Sequence, residues 1–180
     1  MRIPIVFFRR RKNIPICICT NVRNLHRRFC FISYVKLRNP APRSKKLRWN
    51  WKAPFLLSHH DSKVYYNAGN FVYRSPSRGD KLEVISPEIS RTQRGAATAL
   101  AESPRDKDVL WVGTDDGALW ITRDGGKEWQ DITKNVKLPG HFQVNAIEAS
   151  RYADGRAYVA FDGHRSDNDD PHIYVTEDFG

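Results

Sequence analysis

Six aspartates of this chain fall in short turns between strand-like runs, where carboxylates could carry acid–base chemistry: Asp115, Asp116, Asp162, Asp167, Asp169 and Asp170. Hydrolysis of a glycosidic bond needs two carboxyl groups about 5 to 10 Å apart. In the loop 162–171 the carboxylates are joined by an imidazole and a guanidinium, which could grip a sugar or a carboxylate. We therefore take Asp162, His164, Arg165 and Asp167 as candidate binding residues and assign no catalytic pair.

A turn motif begins at positions 75, 122 and 176. It indicates that strand hairpins form the framework that carries these loops. Its complete copy has Thr122, Asp124 two positions on, Gly126 four on and Trp129 seven on. The Asp124 carboxylate can accept hydrogen bonds from backbone N–H groups of the turn, Gly126 can adopt a positive φ, and Trp129 can cover the turn. This pattern favours a structural brace over a catalytic acid at Asp124.

The other two copies of the motif depart from the complete one. The first keeps Ser75 and Gly79 but has Ser77 at the Asp position and Leu82 at the Trp position. The third has Thr176, Asp178 and Gly180, and the sequence ends before position 183, where the motif would place its Trp.

The motif copies lie 47 and 54 residues apart. The first two are embedded in units of four short strand-like runs, and the third follows three such runs before the sequence ends. Four short strands in a repeat of this size predict blades of a β-propeller. A β-sandwich is the weaker alternative, since it would not place one turn motif at the same point of every unit. We expect an all-β fold, an incomplete propeller over 47–180, with blades at about 53–90, 91–135 and 141–180.

Three blades fall short of the four to eight of closed propellers. We therefore expect a piece of a larger propeller whose last blade is truncated. Two blade faces would lack neighbours, and self-association would be the way to cover them.

The first part of the chain differs in charge from the rest. Residues 1–60 carry fifteen Lys or Arg and no acidic residue, whereas 61–180 carry fifteen basic and twenty acidic residues. We interpret 1–46 as an irregular basic leader, disordered or not native coding sequence; nucleic-acid or partner binding through this arm is the alternative. No apolar run approaches the roughly eighteen residues of a membrane helix, and no ordinary secretory signal is evident.

From about residue 47 onward the sequence resembles the BNR-repeat, or Asp-box, propellers of the glycosyl hydrolases and the related N-terminal propellers of sortilin (Vps10-type). The resemblance rests on 49–58, which is similar to their blade opening, on 71–75 and 122–132, and on 159–165. It implies a rim that binds a carbohydrate or peptide, and a parent protein that is secreted or periplasmic. The motif marks the propeller and does not settle activity.

The function expected from the sequence is ligand binding by a propeller fragment that is not catalytically competent alone. The alternative is a BNR-type glycoside hydrolase in its full-length form. We expect no cofactor and no metal, because 167–170 lacks the spacing of a calcium loop and Cys17-Ile18-Cys19 has no matching second pair.

Overall fold

The structure, a computed structural model, describes residues 46–180 and, before them, only the backbone of strands β1 (Pro15–Cys19) and β2 (Cys30–Tyr34). These two strands pair antiparallel with each other. The remaining predictions for 1–46, a disordered or non-native leader and the alternative of a nucleic-acid-binding arm, lie outside the described residues.

Residues 46–180 form three antiparallel sheets in chain order, which we call blades 1, 2 and 3. Blade 1 comprises β3 (Phe55–Leu57), β4 (Tyr65–Ala68), β5 (Val72–Ser75) and β6 (Glu83–Val84). Blade 2 comprises β7 (Ala97–Glu102), β8 (Leu110–Thr114), β9 (Leu119–Thr122) and β10 (Gln130–Asp131). Blade 3 comprises β11 (Gln143–Ala149), β12 (Ala157–Asp162) and β13 (His172–Thr176). The predicted all-β fold of about three propeller blades is confirmed.

Helix is confined to two 3-10 turns in the described part of the chain, Thr133–Asn135 and His164–Ser166. Neither approaches the length or apolar character that would carry a helix across a bilayer.

The blades pack face to face because their strands alternate in the side to which side chains point. In blade 2, Trp111, Leu119 and Ile121 are buried with Val144 and Val159 of blade 3 in one cluster. The opposite side of blade 2 packs against blade 1. Blade 2 is thus covered on both sides.

The two outermost faces differ from each other. On blade 1, Tyr73 is fully buried and Trp49 stacks on it at 5.1 Å between ring centroids. The segment 46–54 therefore covers this face, and the expectation that both outer faces are uncovered is wrong here. On blade 3, by contrast, Tyr158, Ile173 and Val175 are 44, 72 and 55 % exposed.

The segment 46–54 also ties the blades together across the rim that carries the inter-blade connections. The guanidinium of Arg48 donates to Glu88 Oε1 at 2.6 Å, the Asn50 amide donates to Asp115 Oδ2 at 2.8 Å, and Lys52 Nζ donates to the carbonyl of Asn145 at 3.1 Å. This segment, which we call the strap, therefore contacts all three blades along one rim.

The complete turn motif folds around its carboxylate. Asp124 accepts the N–H groups of Lys127 at 2.9 Å and Glu128 at 3.0 Å and the hydroxyl of Thr122 at 2.8 Å. Gly126 has a φ of 97° and donates its N–H to Thr122 Oγ1 at 3.0 Å. Every polar group of this tight turn that the motif specifies has a local partner.

These bonds to the ionised carboxylate hold the pKa of Asp124 below its usual value, with the Glu128 N–H the largest cause and the Thr122 hydroxyl the next. A pKa that is lower in the folded state makes ionised Asp124 stabilising above its unfolded pKa of about 3.9, and this stabilisation is lost as the pH falls through the folded value.

Asp124→Asn is therefore expected to be less stable than the wild type at pH 7, with the difference shrinking as the pH falls below about 4. Urea midpoints between pH 2.5 and pH 7 measure the effect. Asp170→Asn, which removes an exposed carboxylate of the loop 162–171, is the charge-matched control. Parallel pH profiles for the two variants would contradict the bracing role.

Trp129 does not simply cover its own turn, as the sequence led us to expect. It packs against the clusters that join blades 1 and 2, and its indole N–H donates to the carbonyl of Ile85 at 2.6 Å. Ile85 directly follows β6, so the motif Trp of blade 2 reaches back to the outermost strand of blade 1. The motif thus joins neighbouring blades as well as closing a hairpin.

A second repeated turn, which our reading of the sequence missed, lies beside each motif hairpin. Ser58, Ser103 and Ser150 directly follow the innermost strand of their blades. Each hydroxyl accepts the N–H two residues on, at 3.1 to 3.2 Å. The motif hairpins donate to these turns: Arg78 to Lys63, Gly125 to Asp108 and Phe179 to Gly155, backbone to backbone at 2.6 to 2.9 Å. Two braced turns therefore form one rim of every blade.

Candidate functional site

The loop 162–171, predicted to bind ligand, joins β12 to β13 on the rim opposite the motif hairpins. Its backbone is organised from within: Asp162 Oδ1 accepts the N–H of His164 at 3.0 Å, and Asp167 closes the 3-10 turn with a left-handed φ of 57°. His164 Nδ1 lies 3.2 Å from Asp169 Oδ1. Some polar side chains of the loop therefore stabilise the conformation of the loop itself.

The four predicted residues, Asp162, His164, Arg165 and Asp167, are all exposed. The loop is anchored at its base, where the ring of Phe142 lies 4.8 Å from that of His172 and His172 Nε2 contacts Asn168 Oδ1 at 2.8 Å. Within residues 46–180, no three His, Cys, Asp or Glu side chains gather as a metal site would require. Binding by the four residues stays a prediction.

Asp115 and Asp116, the corresponding acidic pair of blade 2, hold the inter-blade connections. Asp115 accepts the N–H of Ala96 at 2.9 Å and the side-chain amide of Asn50 at 2.8 Å. Asp116 accepts the N–H of Thr92 at 2.7 Å and the hydroxyl of Thr114 at 2.6 Å. Both carboxylates are therefore used to place backbone, which makes them poor candidates for proton transfer to a substrate.

A cavity of about 380 Å³ opens on the other rim, where the innermost strands of the three blades converge. Its apolar wall and charged mouth are formed mainly by β3, β7, β11 and the turns that follow them; among the lining residues are Leu56, His59, Leu100, Glu102, Pro104, Ile147, Glu148 and Arg151. A concavity that combines apolar side chains with a few charged groups is a place where a ligand can bind.

Glu102 is the fixed charge of this cavity. Only 3 % of the residue is exposed, and its two oxygens accept the Ser58 hydroxyl at 2.8 Å and the His59 N–H at 2.6 Å. Burial first, and the negative charge of Glu102 second, raise the pKa of the Tyr66 phenol to about 12. Tyr66 therefore stays a neutral donor over the physiological range.

Glu148 and Arg151, unlike Glu102, are exposed at the cavity mouth. They offer one negative and one positive group to a bound molecule beside the apolar wall. Sequence reasoning missed the cavity because its residues come from three separate units. One feature of the sequence could have indicated it. A serine, Ser58, Ser103 or Ser150, directly follows the innermost strand of each blade, so the residues next to these serines lie on one rim.

No protein-family model matches the sequence, and no similar sequence was found among curated proteins. Solved structures resemble its fold. A GH74 enzyme of Niastella koreensis has a TM-score of 0.50 at 13 % identity, covering 73 % of this chain and 21 % of its own. An ancestral GH74 enzyme has a TM-score of 0.53 at 11 % identity, covering 74 % and 18 %.

YCF48 bound to D1 peptide has a TM-score of 0.51 at 17 % identity, covering 75 % of this chain and 44 % of its own. This chain thus spans about a fifth of the two GH74 enzymes and less than half of YCF48. At these identities the likeness shows the fold alone. The three blades form a partial propeller of the BNR, or Asp-box, type that resembles GH74 and YCF48 structures.

Proposed function

We propose that this chain binds an extended glycan or peptide in the cavity at the ends of β3, β7 and β11, and that it acts by binding rather than catalysis. The observation that carries the proposal is the cavity itself: about 380 Å³ with an apolar wall beside the charged groups of Glu102, Glu148 and Arg151. Such a site can orient a ligand through a few polar contacts while burying its apolar surface.

One of the similar structures supports a peptide ligand, and the resemblance of the sequence to the propellers of glycosyl hydrolases supports a glycan. YCF48 is a propeller solved with a peptide, and the GH74 structures are of enzymes. The resemblance to sortilin-type propellers favours binding without a catalytic pair. The exposed residues of the opposite rim, Asp162, His164, Arg165 and Asp167, remain a second proposed contact surface for the same class of ligand.

Glycoside hydrolysis is the second candidate function, because Glu102 and Glu148 line one cavity and two carboxyl groups are what this reaction needs. The environment of Glu102 argues against it as a general acid, since both of its oxygens already accept hydrogen bonds. Turnover of a chromogenic β-glucan oligosaccharide that is lost in both Glu102→Gln and Glu148→Gln would favour the hydrolase.

Binding is tested with a library of short peptides and a set of β-linked gluco-oligosaccharides, using NMR shift changes and titration. We expect Arg151→Gln to weaken the best ligand about tenfold, as the loss of a charge-assisted contact does. Arg165→Gln makes the same change in the second proposed contact surface, on the opposite rim, and so distinguishes the two surfaces. Loss of affinity in Arg165→Gln alone would contradict binding in the cavity and would favour binding by the loop 162–171.

A further inference from the structure

A buried carboxylate without a cationic partner lies in the wall of the cavity of about 380 Å³. Glu102 is the last residue of β7, and only 3 % of it is exposed. Its oxygens accept the Ser58 hydroxyl at 2.8 Å and the backbone N–H of His59 at 2.6 Å. Both donors are neutral groups, so the negative charge is hydrogen-bonded but not neutralised.

The other charged groups of the cavity do not neutralise Glu102. Within residues 46–180, no ion pair includes Glu102, Glu148 or Arg151. Glu148 adds a second negative charge at the mouth, where Arg151 is exposed to solvent. Buried charges in proteins are as a rule paired with an opposite charge, because removing a charge from water is costly. The cavity therefore favours a positive group, which a ligand would have to supply.

The apolar wall sets a second requirement for this ligand group. Leu56 of β3, Leu100 of β7 and Ile147 of β11 line the same cavity as Glu102. A lysine side chain meets both requirements, since its four methylene groups can lie on apolar surface while its ammonium group carries the charge. The hydroxyl groups of a neutral sugar can donate hydrogen bonds but bring no positive charge. The cavity thus suits a basic peptide better than a neutral glycan.

The hydrogen bonds that Glu102 already makes favour an ammonium group over a guanidinium group. Arginine binds a carboxylate best through a planar fork that uses both oxygens. Each oxygen of Glu102 already accepts a bond from the chain, one from Ser58 and one from His59. An ammonium group is a compact charge with three rotatable donors, so it can donate to one oxygen and turn its other donors to Glu148 or to water.

We propose that the cavity at the ends of β3, β7 and β11 takes the lysine side chain of an extended peptide. The methylene groups of the lysine lie on the apolar wall, and its ammonium group donates to Glu102, with Glu148 nearby at the mouth. This inference rests on the proposed binding function and narrows its ligand from a glycan or peptide to a peptide that carries lysine.

The test compares acetylated and amidated tripeptides of sequence Ala-Lys-Ala, Ala-norleucine-Ala and Ala-Arg-Ala. Norleucine keeps an apolar chain and lacks the charge. Each peptide is titrated into the full 180-residue protein, and binding is followed by NMR of the methyl groups of Leu100 and Ile147. We expect the lysine peptide to bind at least about tenfold more tightly than the norleucine peptide, as a charge-assisted hydrogen bond does.

The net charge of the protein makes this comparison stringent. The whole chain carries a formal net charge of +10, so a general electrostatic attraction would not favour a cationic peptide. A preference for lysine must therefore come from groups near the peptide. Equal affinity of the lysine and norleucine peptides would overturn the proposal, and tighter binding of the arginine peptide would overturn the choice of lysine.

Glu102→Gln tests the charge itself, since glutamine has nearly the same size and is neutral. The lysine peptide is expected to lose at least about tenfold in affinity, whereas the norleucine peptide should bind as it does to the wild type. Glu83→Gln is the matched control, because Glu83 is exposed in β6 and does not line the cavity. An equal loss in both variants would overturn the role of Glu102.

Glu148→Gln keeps the charge test open should Glu102→Gln fail to fold, because Glu148 is exposed. We expect this variant to bind the lysine peptide about threefold more weakly, which is the size of effect that an exposed ion pair has. Unchanged affinity would contradict the position of the ammonium group near the mouth.

Failure of this inference can be distinguished from failure of the proposed function. If the norleucine peptide or a gluco-oligosaccharide shifts the methyl signals of Leu100 and Ile147 at lower concentration than the lysine peptide, the cavity binds ligand but does not select lysine. If neither peptides nor oligosaccharides shift these signals, both the inference and the proposed function are wrong.

Discussion

Trp129→Ala is expected to lower the free energy of unfolding by about 3 kcal/mol, toward the lower end of the range for aromatic truncations because the residue is half-buried. Two losses add up. The indole packs against the clusters that join blades 1 and 2, and its N–H bond of 2.6 Å to the Ile85 carbonyl disappears. Urea unfolding followed by far-UV circular dichroism measures the change.

Trp51→Ala is the matched control for this prediction. Trp51 is 86 % exposed, and its truncation should change the free energy of unfolding by less than about 0.5 kcal/mol. Trp129→Phe separates the two losses, since it keeps most of the packing and removes the N–H donor, at a cost of about 1 kcal/mol. Similar destabilisation in Trp129→Ala and Trp51→Ala would show that Trp129 does not join the blades.

The local part of this fold could be predicted from the sequence. Asp124 and Gly126 form the braced turn that their types and spacing indicate, because both act through hydrogen bonds and φ angles within a few residues of themselves. The strands of blade 3 also lie within a residue or so of the apolar runs that predicted them. Such features depend on interactions between residues close together in the sequence, so the sequence alone is enough to predict them.

What the sequence did not reveal depends on how one blade stands against the next. The indole N–H of Trp129 donates to a carbonyl 44 residues earlier in the chain. The cover of blade 1 by Trp49, and the meeting of Glu102 with Ser58 and His59, likewise need the relative position of separate units. A repeat period gives the number of blades but not the contacts between them, so the cavity and the strap 46–54 emerged only from the structure.

Blades 2 and 3 approach closely at Gly113, where there is no room for a larger side chain. A Cβ added to Gly113 would lie 2.5 Å from Val144 Cβ and closer still to Val144 Cγ1, a separation that side chains do not adopt. Gly113 lies in β8 and Val144 in β11, and Val144 is fully buried. Neither side chain can turn away, because the blades fill the space on both sides.

Gly113→Ala is therefore expected to destabilise the protein by about 2 to 3 kcal/mol, as overpacking of a close-packed interior does. Val144→Ala alone should cost a similar amount by leaving a cavity. In the double variant the new methyl group occupies part of the space that Val144 vacates. The free energies of unfolding should thus be non-additive by about 1 kcal/mol or more, with the double variant more stable than the sum predicts.

Gly117→Ala is an unsuitable control for this cycle, since Gly117 has a φ of 80° and alanine would be strained there for a different reason. Ala160→Gly paired with Val144→Ala is better: Ala160 lies in β12 on the face of blade 3 that points away from blade 2. That pair should be additive within about 0.5 kcal/mol. Additivity in the Gly113 cycle as well would show that the two blades are held apart and that the close approach of β8 and β11 does not stabilise the fold.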